Sequence, residues 1–185
     1  TEFIYSNIDT SNTVYTFSVN TNTVCDILLI GGGGDGGSGD YSGGGGAGEL
    51  LYLKDYILNS NIEYEVTIGN NNNDSMIYDN TNSTILYKAL AGGKGASSNK
   101  DATIGGSGGG GYGNTLNNIG SIYNSYFHNI YVNKGNDGLD NKYGGGGGGA
   151  LTSGNNYKGG YGLSLNINDL EEYCKGGEGS TGINF

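Results

Sequence analysis

The sequence predicts an all-β fold: a small antiparallel β-sheet or sandwich unit combined with a bundle of extended glycine helices, with almost no α-helix. Three observations lead to this prediction. Apolar and polar residues alternate with a period of two in several short runs, as half-buried strands require. The 185 residues include 40 glycines and no proline. The glycines recur at every third position in long tracts, which predicts one glycine-rich domain over residues 1–185.

The predicted strands fall in three stretches, at about 3–30, 49–90 and 163–167. The clearest alternation is at 62–68, where the residues that share one face are Ile62, Tyr64, Val66 and Ile68. The other predicted strands are 14–19, 24–30, 49–53, 84–90 and 163–167, with 3–5 as a candidate edge strand. The polar segment 70–83 is interpreted as a long surface loop. The only helix signal is one or two turns at 168–174, capped by Asn168.

The first long glycine tract follows directly on the strand at 24–30. Sorted by threes, one register holds Gly31, Gly34, Gly37, Gly43 and Gly46, and a second holds Gly33, Gly36, Gly39, Gly45 and Gly48. Both registers are interrupted together at Asp40, Tyr41 and Ser42, which predicts two rods joined by a turn. The third register carries Asp35 and Ser38, which we expect to face solvent.

A period of three is that of a left-handed extended helix, which makes no internal hydrogen bonds. Its N–H and C=O groups must therefore pair with neighbouring rods or with water. Such rods are predicted at about 31–48, 92–95, 105–113, 144–149 and 176–182. The alternative is that these tracts are flexible spacers.

Gly31, Gly33 and Gly36 also match G-x-G-x-x-G, the dinucleotide-binding pattern. That pattern needs a helix whose N-terminus faces the pyrophosphate. Here further glycines follow, and each costs about 1 kcal/mol against alanine in a helix interior. The sequence therefore argues against a nucleotide site, and no cofactor is predicted.

The formal net charge is −10, from 8 basic and 18 acidic residues. Nucleic-acid binding depends on neutralising phosphates with basic side chains, so this balance argues against it. No apolar stretch reaches the length of a membrane span, which argues against membrane insertion. The acidic segment 135–142 lacks the EF-hand spacing, so no metal site is predicted.

Cys25 and Cys174 lie near the two ends of the chain. The favoured interpretation is two buried thiols. A disulfide between them is the alternative, and it would close a very long loop. His128 is the only histidine, and it has no suitable nucleophile near it in sequence, so the chain is not predicted to be an enzyme.

Five segments resemble, in their order and spacing, the glycine-rich domain of phage tail-fibre and giant-virus virion proteins. They are TVYTFSV (13–19), VCDILLIGGGGDGG (24–37), GGGGAGE (43–49), YEVTIG (64–69) and ALAGGKG (89–95). The resemblance implies a β-sheet unit fused to a layered bundle of polyglycine-II helices, similar to the distal adhesins of T-even-like phage fibres. Family members often carry proline before two of these strands. SVNTN (18–22) and NSNIEY (59–64) lack this proline, so the resemblance does not extend to the conformation of those two turns.

The resemblance implies a non-enzymatic component of a virion surface or fibre, extracellular, that recognises or supports recognition of a host protein or glycan. The candidate receptor-binding residues lie in the aromatic segment 122–132: Tyr123, Tyr126, Phe127, His128 and Tyr131. Tyrosine gives amphipathic contact area at low entropic cost. The alternative for this segment is one more strand whose aromatic residues fill the core. The alternative function is a self-assembling fibril or capsid-decorating subunit without its own receptor, whose partners are copies of itself or other virion proteins.

Overall fold

The computed structural model describes residues 1–4, 6, 12–113, 130–131, 143–165 and 172–180. These residues form antiparallel sheets and contain no α-helix, which confirms the all-β prediction for this part of the chain. The strands among them are β1 (Thr13–Phe17), β2 (Thr23–Ile30), β3 (Leu50–Leu58), β4 (Tyr64–Ile68), β5 (Ser75–Asp79), β6 (Thr84–Ala89), β7 (Ile130–Tyr131), β8 (Leu163–Ser164) and β9 (Glu172–Tyr173).

Two sheets share one hydrophobic core. The first sheet has the order β1-β4-β5-β6 and the second the order β2-β3-β7, while β8 and β9 form a separate pair. Both large sheets contribute side chains to one buried cluster, made of Leu29, Leu51, Leu58, Tyr64, Val66, Ile77 and Ala89. The sandwich predicted from the alternating runs is therefore built from two antiparallel sheets.

Tyr64 anchors this core. Its side chain is fully buried, and its ring stacks on that of Phe17, its cross-strand partner, at a centroid distance of 5.3 Å. Its hydroxyl accepts a hydrogen bond from the backbone N–H of Asn59 at 2.7 Å, so the buried oxygen is paired. The cross-strand aromatic pair fixes the register between β1 and β4.

The prediction of a surface loop at 70–83 is wrong at its centre, where Ser75–Asp79 form β5. This strand lies between β4 and β6, and its inward-facing end residues are polar, which hides the alternation in the sequence. Ser75 Oγ accepts a hydrogen bond from the N–H of Gly69 at 3.0 Å. The Asp79 carboxylate accepts from the side-chain amide and the N–H of Asn82, both at 2.9 Å, and the amide lowers the pKa of Asp79. These bonds let two polar residues occupy buried positions.

Two smaller predictions also differ from the structure. Phe3 packs on the rings of Tyr15 and Phe17, at centroid distances of 5.2 and 5.4 Å, but it belongs to no strand. The helical turns predicted at 168–174 are wrong at Glu172–Tyr173, which form β9 and pair with β8. Residues 166–171, including Asn168, lie outside the described residues.

Candidate functional site

The glycine tracts form a network of backbone hydrogen bonds around the second tract, residues 43–48. Every residue from Ser42 to Leu50 is buried. The N–H groups of this tract donate to the chain segment around 92–95 at every third residue: Gly43 to Ala96 at 2.9 Å, Gly46 to Gly93 at 2.8 Å and Glu49 to Leu90 at 2.8 Å. Because the donor number rises as the acceptor number falls, the two segments are antiparallel.

The carbonyl groups of the second tract accept hydrogen bonds with the same period. The donors come from the first tract, residues 31–39, in the pairs Gly31 to Glu49 at 3.0 Å, Gly34 to Gly46 at 2.9 Å and Gly37 to Gly43 at 2.8 Å. All three donors belong to one of the two glycine registers of the sequence. The three-residue repeat thus sets which backbone groups meet.

Three further tracts bond to the second tract from other sides. Tract 144–149 is parallel to it, with Gly44 donating to Gly145 and Ala47 to Gly148. Tract 105–113 is antiparallel, with Ser107 donating to Ala47, Gly110 to Gly44 and Gly113 to Tyr41. The last tract, from 176 to 180, donates from Gly177 to Gly45 and from Ser180 to Ser42. The second tract therefore bonds through its backbone to five neighbouring segments.

The close approach of these backbones requires glycine at two central positions, Gly45 and Gly46. A β-carbon at Gly45 would lie 2.6 Å from the carbonyl carbon of Gly34 and closer still to its oxygen. A β-carbon at Gly46 would lie 2.6 Å from the carbonyl oxygen of Gly108. Both distances are below 3.0 Å, which real β-carbons essentially never show. Gly33, by contrast, has no atom within 4 Å of the position of a β-carbon.

The two glycine registers of the first tract differ in burial. Gly33, Gly36 and Gly39 are exposed. The first tract lies at the border of the network, where it bonds to the second tract, to the segment around 92–95 and to the loop at 70–73. The glycine pattern does not encode this position. Asp35 and Ser38 are exposed, as expected, although the Asp35 carboxylate also accepts a 2.6 Å hydrogen bond from the side-chain amide of Asn72.

The ends of several tracts meet on the side away from the sandwich. The turn at Tyr41, which has a φ of 57°, lies there, and the N–H of Gly113 donates to the Tyr41 carbonyl at 2.9 Å. A β-carbon at Gly113 would lie 2.8 Å from the carbonyl carbon of Tyr143. The ring of Tyr143 packs on that of Tyr157 at a centroid distance of 4.9 Å. Gly113 and Tyr143 therefore hold the two ends of segment 114–142 side by side.

The candidate receptor-binding residues fall within that segment. Tyr123, Tyr126, Phe127 and His128 lie outside the described residues. Tyr131 belongs to β7, where the backbone of Ile130–Tyr131 pairs with Leu50 and Leu51 of β3. At these two residues the segment therefore forms a strand, as the alternative interpretation expected.

The two cysteines are free thiols and half-buried. Burial raises the pKa of the Cys174 thiol to about 12. Burial, followed by the charge of Asp26, raises the pKa of Cys25. Because only the thiolate is a good nucleophile, neither thiol is activated for covalent chemistry at neutral pH.

Asp26 forms a small polar site that the sequence did not reveal. Its carboxylate accepts a 2.6 Å hydrogen bond from the Tyr52 hydroxyl and a 2.9 Å bond from the N–H of Asp55. The Tyr52 bond is the main cause of the lowered pKa of Asp26. The pairing register of β2 and β3 shifts at Asp26, and Asp55 has a φ of 54°. The carboxylate thus stabilises an irregular point in the second sheet.

Three other kinds of site considered in the sequence concern acidic ligands, metal ions and a membrane span. The acidic segment 135–142 lies outside the described residues. In the described ranges, no group of three or more His, Cys, Asp or Glu side chains is placed to hold a metal ion. No helix in these same ranges has the length and apolar character of a membrane span.

One of three comparisons with known proteins gives a match. No curated protein and no solved structure gives a match. A family model described as a glycine-rich domain matches residues 9–184, which is nearly the whole chain. The chain belongs to this family of glycine-rich domains.

Proposed function

We propose that the glycine tracts form a bundle of polyglycine-II helices and that this bundle is a rigid, non-enzymatic scaffold. The observation that carries the proposal is the three-residue repeat of hydrogen bonds from tract to tract. Three residues per turn, with all backbone bonds made to neighbours, is the geometry of an extended left-handed helix. Among the described glycines, only Gly39 has a positive φ, of 90°. A common sign of φ is what helices of one hand require.

We further propose that the scaffold belongs to the surface or fibre of a virion and takes part in recognising a host surface. The resemblance of the five sequence segments to tail-fibre and giant-virus domains suggests this setting. The arrangement of Gly113 and Tyr143 supports it, because a long segment rich in aromatic residues leaves and re-enters the bundle at neighbouring points. Loops on a rigid framework are the usual carriers of recognition.

The location is tested by immunogold electron microscopy of particles released from cells that naturally make this chain. The proposal expects gold label on the particle surface or on fibres. Label found only inside cells, with none on released particles, would contradict it.

The candidate receptor segment has its own test. The variant Tyr123→Ala/Tyr126→Ala/Tyr131→Ala is compared with the wild type in a cell-attachment assay that uses fluorescently labelled protein. We expect attachment to fall, because each substitution removes the large, rigid contact surface of a tyrosine ring. Tyr78→Ala/Tyr161→Ala, two tyrosines elsewhere in the chain, is the control. Unchanged attachment by the triple variant would exclude the segment as the receptor site.

The second candidate function is self-assembly into a fibril or capsid-decorating layer. The exposed edge of the first tract favours it, because Gly33, Gly36 and Gly39 present N–H groups that no described residue accepts. Unpaired backbone edges are templates for pairing with another chain. Electron microscopy of the purified protein separates the two functions: filaments favour assembly, and monodisperse particles favour the recognition scaffold.

A further inference from the structure

A groove of about 390 Å³ lies where the sandwich meets the glycine tracts. Its volume falls in the range of small-molecule sites, which is about 300–1,000 Å³. Three stretches of the chain line it: Asn72 with Asp74, residues from Lys88 to Lys94, and Thr103 to Gly105. None of these residues belongs to the aromatic segment considered above.

Hydrogen bonds and an ion pair join the stretches that line the groove. The Asp74 carboxylate accepts from the N–H of Ala91 at 2.7 Å and pairs with Lys88 Nζ at 2.7 Å. The N–H of Lys94 donates to Thr103 Oγ1 at 2.7 Å, and the N–H of Thr103 donates to the Lys94 carbonyl at 2.9 Å. Such preformed walls reduce the ordering cost of binding a ligand.

The charge of the groove is opposite to that of the protein. The whole chain carries a net charge of −10 and has eight basic residues, yet two lysines line this one groove. Lys88 is paired with Asp74, whereas Lys94 forms no ion pair with any described residue and is exposed. Among the lining residues one positive charge is thus left over, which favours a ligand with one negative group.

The remaining lining suits a sugar ring. Ile104 is 54% exposed and offers an apolar wall. The Thr103 hydroxyl uses its oxygen as an acceptor, which leaves its hydrogen for a ligand. The geometry points to an acidic saccharide as the ligand of this groove, with the carboxylate on Lys94, a ring hydroxyl on Thr103 and the apolar ring face on Ile104.

This inference deepens the proposed recognition function and rests on it for the source of the sugar, a host-surface glycan. Different results would overturn the groove assignment and the proposed virion setting. Attachment to cells without any binding of a soluble acidic sugar would overturn the groove alone. Binding of that sugar by a protein that labels no particle surface would overturn only the virion setting.

The experiment is a ¹⁵N–¹H NMR titration of the full chain with sodium D-glucuronate, using D-glucose and sodium acetate as matched probes. Glucose lacks the carboxylate and acetate lacks the ring. We expect saturable shifts with glucuronate at the amides of Ala91, Lys94, Thr103 and Ile104, and markedly smaller shifts with either control. No saturable shift at these amides, or equal shifts with acetate, would overturn the proposal.

A pair of variants tests the role of the unpaired lysine. Lys94→Met keeps most of the side-chain stem and removes the charge, so glucuronate binding should weaken about three- to fivefold, as for an exposed ion pair. Lys100→Met, at an exposed lysine outside the groove, should leave binding unchanged. Equal affinities in the two variants would overturn the assignment of the carboxylate to Lys94.

Discussion

Replacing Gly45 by alanine tests whether the glycine tracts are packed. The new β-carbon would lie 2.6 Å from the carbonyl carbon of Gly34, where ordinary contact begins at 3.4 Å. The two backbones would therefore have to separate by roughly 1 Å to reach normal van der Waals contact. That movement strains the bonds on either side, from Gly34 to Gly46 at 2.9 Å and from Gly177 to Gly45 at 2.8 Å.

The expected loss follows from three terms. Overpacking costs about 1–3 kcal/mol, and each weakened hydrogen bond costs about 1 kcal/mol. Alanine also restricts the unfolded chain more than glycine does, which offsets up to about 1 kcal/mol of this loss. The net free energy of unfolding should fall by about 2–4 kcal/mol, which for a domain of this size lowers Tm by roughly 5–15 °C.

The matched control is Gly33→Ala, in the same glycine repeat. No atom lies within 4 Å of its β-carbon position, and its φ is not positive. Its Tm, measured by calorimetry beside that of Gly45→Ala, should stay equal to the wild-type value or rise slightly. Equal Tm values for the two variants would refute the reasoning, because they would mean that the inner and outer glycines have the same surroundings.

Three further predictions concern single side chains. In the variant Tyr52→Phe, the pKa of Asp26 measured by NMR should rise toward its ordinary value. In the wild type, the lowered pKa of Asp26 stabilises the fold above the unfolded-state pKa of about 3.9, and this stabilisation is lost as pH falls through the folded-state pKa. An unchanged pKa of Asp26 in the variant would contradict the Tyr52 bond as the cause. Iodoacetamide at pH 8 should alkylate Cys174 far more slowly in the native protein than in urea, because burial raises the pKa of this thiol to about 12. Mass spectrometry measures the two rates, and equal rates would argue against a buried thiol. Tyr64→Phe should lower the free energy of unfolding by about 1–2 kcal/mol in a urea titration, since it leaves the N–H of Asn59 without its acceptor; an unchanged midpoint would mean that water replaces the hydroxyl.

The sequence predicted those strands whose buried face is apolar. The alternation of Tyr64 and Val66 identified β4, and the apolar run before the first glycine tract identified β2. It missed β5 because Ser75 and Asp79 point inward and are paired by turn residues, so the strand looks like a polar loop. Local polarity alone cannot distinguish a solvated loop from a strand with satisfied polar ends.

The glycine repeat predicted the period of the hydrogen bonds but not the place of each tract. Gly33 and Gly45 belong to the same register in the sequence, yet one is exposed and the other is buried. Position within the network depends on which tracts surround a glycine, and that is decided by contacts far apart in the chain. The groove beside Lys94 was missed for the same reason, since its walls come from residues 72–88 and 94–104.

Hydrogen exchange at single glycine amides measures the packing of the tracts most directly. The N–H groups of Gly43 and Gly46 donate to buried carbonyls, whereas those of Gly33 and Gly36 are exposed and have no described acceptor. In an NMR exchange experiment, the first pair should exchange at least about a hundred times more slowly than the second. Fast exchange of all four amides, at the rate of an unstructured chain, would show that the tracts are flexible spacers.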